Sequence, residues 1–169
     1  MLGLTQLGVI HTAISLVAVV VGAVALVRDR QITLDGTMGR VYFVTTALTA
    51  LTGFGIFQHG GFGKPHALGV LTLIVLAIAL LARRTALFGR ASRAVEVVSY
   101  SATFLFHMIP GITETTTRLP AGAPLLPNAE APELQLAAAV LFVLFLIGAT
   151  LQVRRLRSQP HQLALETAR

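Results

Sequence analysis

Five histidines in a chain of 169 residues that has no cysteine define the chemistry open to it. Without a thiol there can be no disulfide, thiolate metal site, iron–sulfur cluster or Cys-x-x-Cys-His haem attachment. Any metal must be held by imidazole, carboxylate or main-chain oxygen. His11, His59, His66 and His107 each stand near an end of an apolar run, and His161 lies in the C-terminal tail. Two chemistries suit such a set. Histidines from facing helices would supply axial ligands to haem b, with His11, His66 and His107 as the candidate cofactor ligands. Alternatively, His11, His59, His66 and His107, together with Glu114, would hold a divalent metal. No pair of metal ligands at i, i+3 or i+4 on a single helix accompanies them.

A second pattern runs away from His107. Glu96, Tyr100, Thr103 and His107 follow one another at i, i+4, i+7 and i+11, so they share one helix face. An ionisable residue on a polar stripe at a lipid boundary is a candidate for a proton path. Glu96 and His107 are about 16 Å apart along the axis, so such a path needs bridging waters. The plainer account makes Glu96 a first-turn acid beside Arg90 and Arg93, where the helix dipole favours negative charge. His11, Ser15, Ala18, Gly22 and Ala25 form a comparable stripe, as do Thr45, Thr49, Thr52 and His59; small and hydroxylated residues so placed mark faces where helices meet in lipid. Thr113 to Pro120 pairs Glu114 with Arg118, either as a solvated ion pair or as a lid over the histidines.

The elements that must position these residues are membrane helices. Just over half the chain is apolar and only 12% is charged. A soluble domain carries about 25% charged residues, and so small a volume cannot hide this much apolar surface. Five short transmembrane helices are expected, at about 7–27, 41–58, 66–82, 95–112 and 134–153. Leu7–Val27 lacks a basic lead and a cleavage site and is a retained helix rather than a signal peptide. His59 to Pro65 is a tight Gly-rich connector, with Pro65 where a first helical turn accepts proline. Pro110-Gly111 should break the fourth helix near its end, and Thr113 to Glu133, with four prolines, reads as an irregular loop. Residues 1–153 form one bundle domain and 154–169 a basic cytoplasmic tail, a short polar end with the potential to lie as a surface helix.

Lys and Arg counts orient the bundle. An outside N-terminus puts eleven of them in the cytoplasm, with Lys64 and Arg118 outside, which is the positive-inside pattern of a bacterial inner membrane protein. His11, His59, His66 and His107 then share one depth near the outer face, and the Arg83–Arg93 run faces the cytoplasm and anionic lipid. The basic residues cluster at the ends of apolar runs, not on a polar face, which argues against nucleic acid.

The first half, IHTAISLVAVVVGAVALV followed by GRVYFVTTALTALTGFGI, resembles the bacterial membrane-protein family called domain of unknown function 2306. His11, Gly39, Arg40 and Tyr42 match its early histidine and its Gly-Arg-x-Tyr lead into the second helix, and His66 matches a histidine opening its third. The likeness covers about residues 10–82. Leu34 to Gly39 (LDGTMG) lacks the family's His-Arg before that glycine, so a ligand on the cytoplasmic side is missing and a two-haem arrangement is not expected. The resemblance implies a membrane fold similar to b-type cytochrome bundles and no particular activity.

No Walker A, nucleophile elbow, His-Glu-x-x-His or dinucleotide fingerprint appears, so a stand-alone enzyme acting on soluble substrates is not expected. The leading expectation is a His-lined site near the outer face that binds haem b or a divalent metal, working with a membrane redox partner or as a homo-oligomer. A transporter or proton-relay component, or an accessory subunit with no chemistry, are the alternatives.

Overall fold

The structure is a computed structural model that describes residues 5–56 and 61–167, with side chains as far as residue 158. The described residues form five helices: α1 (Gln6–Asp29), α2 (Thr37–Gly53), α3 (Lys64–Arg84), α4 (Ser92–Arg118) and α5 (Pro132–Thr167), with a single 3-10 turn at Gly89–Ala91 before α4. Four of them, α1, α3, α4 and α5, are long and apolar enough to cross a bilayer. The chain is a transmembrane helical bundle. Successive helices run antiparallel. His11 on α1 meets Thr52 on α2, and at the other end Gln152 on α5 donates to the Arg30 carbonyl. One end of the bundle therefore gathers His11, His66 and His107, and the other gathers Arg28, Arg83, Arg84 and Arg93.

Side-chain chemistry explains how these segments hold as helices in lipid, where every backbone group needs a partner. Thr5 caps α1 by accepting from the Gly8 N–H at 3.1 Å. On the Thr-rich α2, Thr45, Thr49 and Thr52 donate to the carbonyls of Val41, Thr45 and Leu48, each at 2.8 Å. A hydroxyl satisfied by its own helix no longer competes with the main chain for a partner. α2 has 17 residues, about 25 Å of rise, yet it reaches from Asp35 to the His11–Thr52 contact and so runs between the same two ends as its neighbours.

Helix ends depart from expectation in three places. α2 begins at Thr37 and ends at Gly53, whereas a span over 41–58 was expected. It turns through Phe54 and Gly55, because the glycines at 53 and 55 weaken the helix there. α4 passes through Pro110 without stopping and ends at Arg118, so Thr113–Arg118 is helix, not loop. The prolyl ring removes one N–H, but Thr113, Thr115 and Thr116 donate back to the carbonyls of Ile109, Gly111 and Ile112 and support the turn that follows. α5 continues well past Val153, to Thr167.

The core is made of small and aromatic residues. Ala18, Ala25, Tyr42, Leu76, Ala79 and Tyr100 are buried together. On α1 the buried positions are Gly8, Ala18, Gly22 and Ala25, the small-residue stripe of the sequence. Gly22 admits the Tyr42 ring, since a Cβ there would stand 2.7 Å from Tyr42 Cε2. This is how small residues let membrane helices approach. Large aliphatic side chains such as Val20, Leu144 and Ile147 point outward, as lipid allows.

Candidate functional site

A cavity of about 260 Å³ opens among α1, α2, α3 and α4 at the histidine end. His11, His66 and His107 all line it, and Glu114 and Arg118 lie on its rim side. Three helices thus deliver three histidines to one space. His59, the fourth member of the candidate metal set, lies outside the described residues.

Each histidine is held differently. The His11 Nδ1 lies 3.0 Å from Thr52 Oγ1. That hydroxyl already donates to the Leu48 carbonyl, so it accepts from His11, and the network assigns the proton to Nδ1 and the lone pair to Nε2. His66 has the opposite tautomer. Its Nδ1 accepts the Gly63 N–H at 3.2 Å, a cap on the N-cap amide of α3, so the neutral ring carries its proton on Nε2. Phe62 stacks against the same ring at 5.3 Å. His107 is 8% exposed and its Nε2 shares a 3.1 Å hydrogen bond with Thr46 Oγ1. Tyr42 meets its ring edge-on at 6.2 Å between centroids.

The rest of the lining is apolar wall with spaced hydroxyls. Phe54, Pro65, Phe106 and Pro110 supply the flat surfaces. Thr12, Thr49 and Thr72 also line the space, and each gives its proton to a carbonyl of its own helix at 2.8 Å. Pro110 cannot donate to the Phe106 carbonyl, four residues earlier, and both residues border the cavity. Glu114 and Arg118 form an ion pair one helical turn apart.

Among the described residues, no three His, Asp or Glu side chains come close enough together to hold a metal ion. His66 as held here is also a poor ligand, because a neutral ring whose Nδ1 accepts from the backbone has no lone pair to offer at Nε2. His11 has the arrangement usual in a ligating histidine, with one nitrogen donating to a neighbour and the other free to coordinate.

Further along the stripe, Glu96, Tyr100 and Thr103 are all buried on α4. Tyr42 Oη lies 2.9 Å from Thr103 Oγ1, and that hydroxyl donates to the Tyr100 carbonyl at 2.8 Å. Tyr42 is therefore the donor of the pair. Glu96 is bound by two guanidinium groups, Arg83 at 3.0 Å and Arg93 at 2.9 Å. Asp35 bridges the same two arginines, at 2.8 Å to each. The expected neighbours were Arg93 and Arg90; Arg83 takes the second place. The four groups form a closed ring of alternating charge. Arg83 beside Asp35 holds the Asp35 carboxyl down at about 2, below the usual value of about 3.9.

Four contributors escaped the sequence reading. Thr46 stands next to the Thr45 stripe and was passed over, although its position four residues after Tyr42 puts it on the buried face. Thr12 and Thr72 carried no signal beyond being hydroxyls in apolar helices. Asp35 sits in the loop between α1 and α2 and follows no helical spacing. No protein-family model, curated protein or solved structure matches this chain.

Proposed function

We propose that this membrane protein binds a small molecule in its histidine-lined cavity, and that the cavity lies at the outer face of a bacterial cytoplasmic membrane. The observation that carries the reading is the cavity: three helices each bring a histidine to one space between mostly apolar walls. Ligand sites have this composition, apolar surfaces with a few convergent polar groups, at volumes from about 300 Å³ upward. A space of about 260 Å³ suits a small ligand or the head of a larger one. The count of basic residues supports the orientation, since every arginine cluster falls at the end away from the histidines. The likeness to domain of unknown function 2306 adds a membrane bundle and no activity.

A multi-histidine metal centre draws little support from the geometry, because His66 is occupied as a cap and the described side chains do not converge in threes. Haem b is the second reading, and His11 favours it. Its Nδ1–H donates to Thr52, which leaves Nε2 as the sole ligating nitrogen and fixes the ring's orientation. On that reading a redox partner in the membrane would be needed. The Glu96 relay draws less support, because a carboxylate clamped by two arginines is a poor proton carrier.

The test uses full-length protein purified from haem- and metal-replete cells, with Ala50→Phe as the control. Ala50 lines the cavity and is 7% exposed, so a phenyl ring there fills the space. The expected result is a small molecule extracted in near-stoichiometric amount from the native protein and absent from the variant. A Soret band abolished by His11→Ala would replace this reading with haem. Identical extracts and no Soret band would leave an accessory subunit without chemistry.

A further inference from the structure

Hydrogen-bond accounting around the cavity indicates what chemistry its occupant has, and this step rests on the binding reading above. Thr12, Thr49 and Thr72 have given their protons to Gly8, Thr45 and Leu68, so each turns only lone pairs toward a guest. His11, protonated on Nδ1, adds a lone pair at Nε2. Among the described side chains, the donors that stand against these acceptors are the His66 Nε2–H, the Arg118 guanidinium, which already pairs with Glu114, and the ring of His107, which is engaged with Thr46. A guest must therefore bring protons. A group that only accepts would leave buried acceptors facing one another.

Charge narrows the class. A cation in the site would meet the like charge of Arg118, which also lines it, and Glu114 is already engaged by that arginine. An anion would meet the same wall of lone pairs. A neutral hydroxyl avoids both penalties. Phe54, Pro65, Phe106 and Pro110 provide flat apolar surfaces for the body of the guest, and a site at a bilayer edge draws on lipophilic molecules. We infer that the cavity receives a neutral lipophilic hydroquinone through its phenolic hydroxyls, in preference to the corresponding quinone. His11 Nε2 and Thr49 Oγ1 are the acceptors that distinguish the two forms. Only recognition is assigned; the quinone presents carbonyl oxygens alone and so lacks the protons the wall requires.

The experiment is calorimetric titration of the full-length protein in lipid nanodiscs with three probes on one decyl-substituted ring. These are the hydroquinone (kept reduced under argon), the quinone and the dimethyl ether of the hydroquinone. The hydroquinone should bind at least about tenfold more tightly than either of the others, because a buried acceptor left unpaired costs about as much as one such factor. His11→Ala and Thr49→Val should each shrink the ratio of hydroquinone affinity to ether affinity. Quinone or ether binding as tight as the hydroquinone would overturn the class while leaving the site. Absence of binding by all three would also overturn it, and the extraction experiment decides independently whether the cavity binds anything.

Discussion

At the scale of single residues, polar groups in this bundle are either closed off or turned toward the cavity. Tyr42 and Tyr100 make the contrast. Both are fully buried, and their rings meet edge-on at 6.4 Å. Tyr42 donates to Thr103, whereas the Tyr100 hydroxyl has no partner among the described residues. A buried unpaired hydroxyl destabilises, and removing it is neutral or favourable. Tyr100→Phe should therefore leave stability in detergent unchanged or raise it, while Tyr42→Phe should cost about 1 kcal/mol. Thermal unfolding of the two variants side by side checks this, and a larger loss for Tyr100→Phe would show a partner for that hydroxyl. That His11, His66 and His107 fall at one end of the bundle was legible from sequence, because the apolar runs set the helices and antiparallel succession sets which ends meet. Their tautomers were not, since those depend on Thr52 and Gly63, whose contacts form only when α1 packs on α2 and the α3 cap closes.

At the scale of elements, the arginine end is held by the ring of Asp35, Arg83, Glu96 and Arg93, which ties the α1–α2 loop to α3 and α4. Glu96 is 2% exposed, so its two guanidinium partners are a condition of its burial. Gly39 completes the corner: a Cβ there would fall 1.6 Å from the Thr33 carbonyl oxygen, and Arg40 Nε donates to the Leu34 carbonyl at 3.3 Å. The Gly-Arg-x-Tyr run thus seats a loop with its first residues and fills the core with Tyr42. Asp35 gives the ring a pH signature. Its carboxyl, held at about 2 by Arg83 first and Arg93 after it, titrates near 3.9 when unfolded. A depressed carboxylate contributes stability that is full above about pH 4 and is lost as pH falls toward 2. Wild type and Asp35→Asn should then differ in Tm by a constant amount from pH 8 to 5, and the gap should close below about pH 4. A gap that closes instead between pH 8 and 6 would point to another group. Asp35 was invisible in the sequence because it lies 48 residues from Arg83 and 58 from Arg93, and no periodicity links a loop to helices so distant.

At the scale of the whole molecule, hydropathy and charge were enough to read a five-helix membrane bundle, and the departures lie in the ends of α2, α4 and α5. Pro110 signalled an end, yet the threonines after it let α4 run on to Arg118 and carry Glu114 and Arg118 to the cavity. On the proposed reading, the cavity faces outward, as the charge asymmetry between the two ends suggests, and small molecules enter it. The natural absence of cysteine allows both statements to be tested at once by Thr49→Cys, a single thiol on the cavity wall, with Ser99→Cys, buried toward the arginine end, as control. Intact cells are treated with a membrane-impermeant maleimide and the labelled fraction is measured. Thr49→Cys should be labelled from outside, more slowly in the Ala50→Phe background, with Ser99→Cys silent. Labelling of Thr49→Cys only in inverted vesicles, or in neither preparation, would contradict the proposed reading.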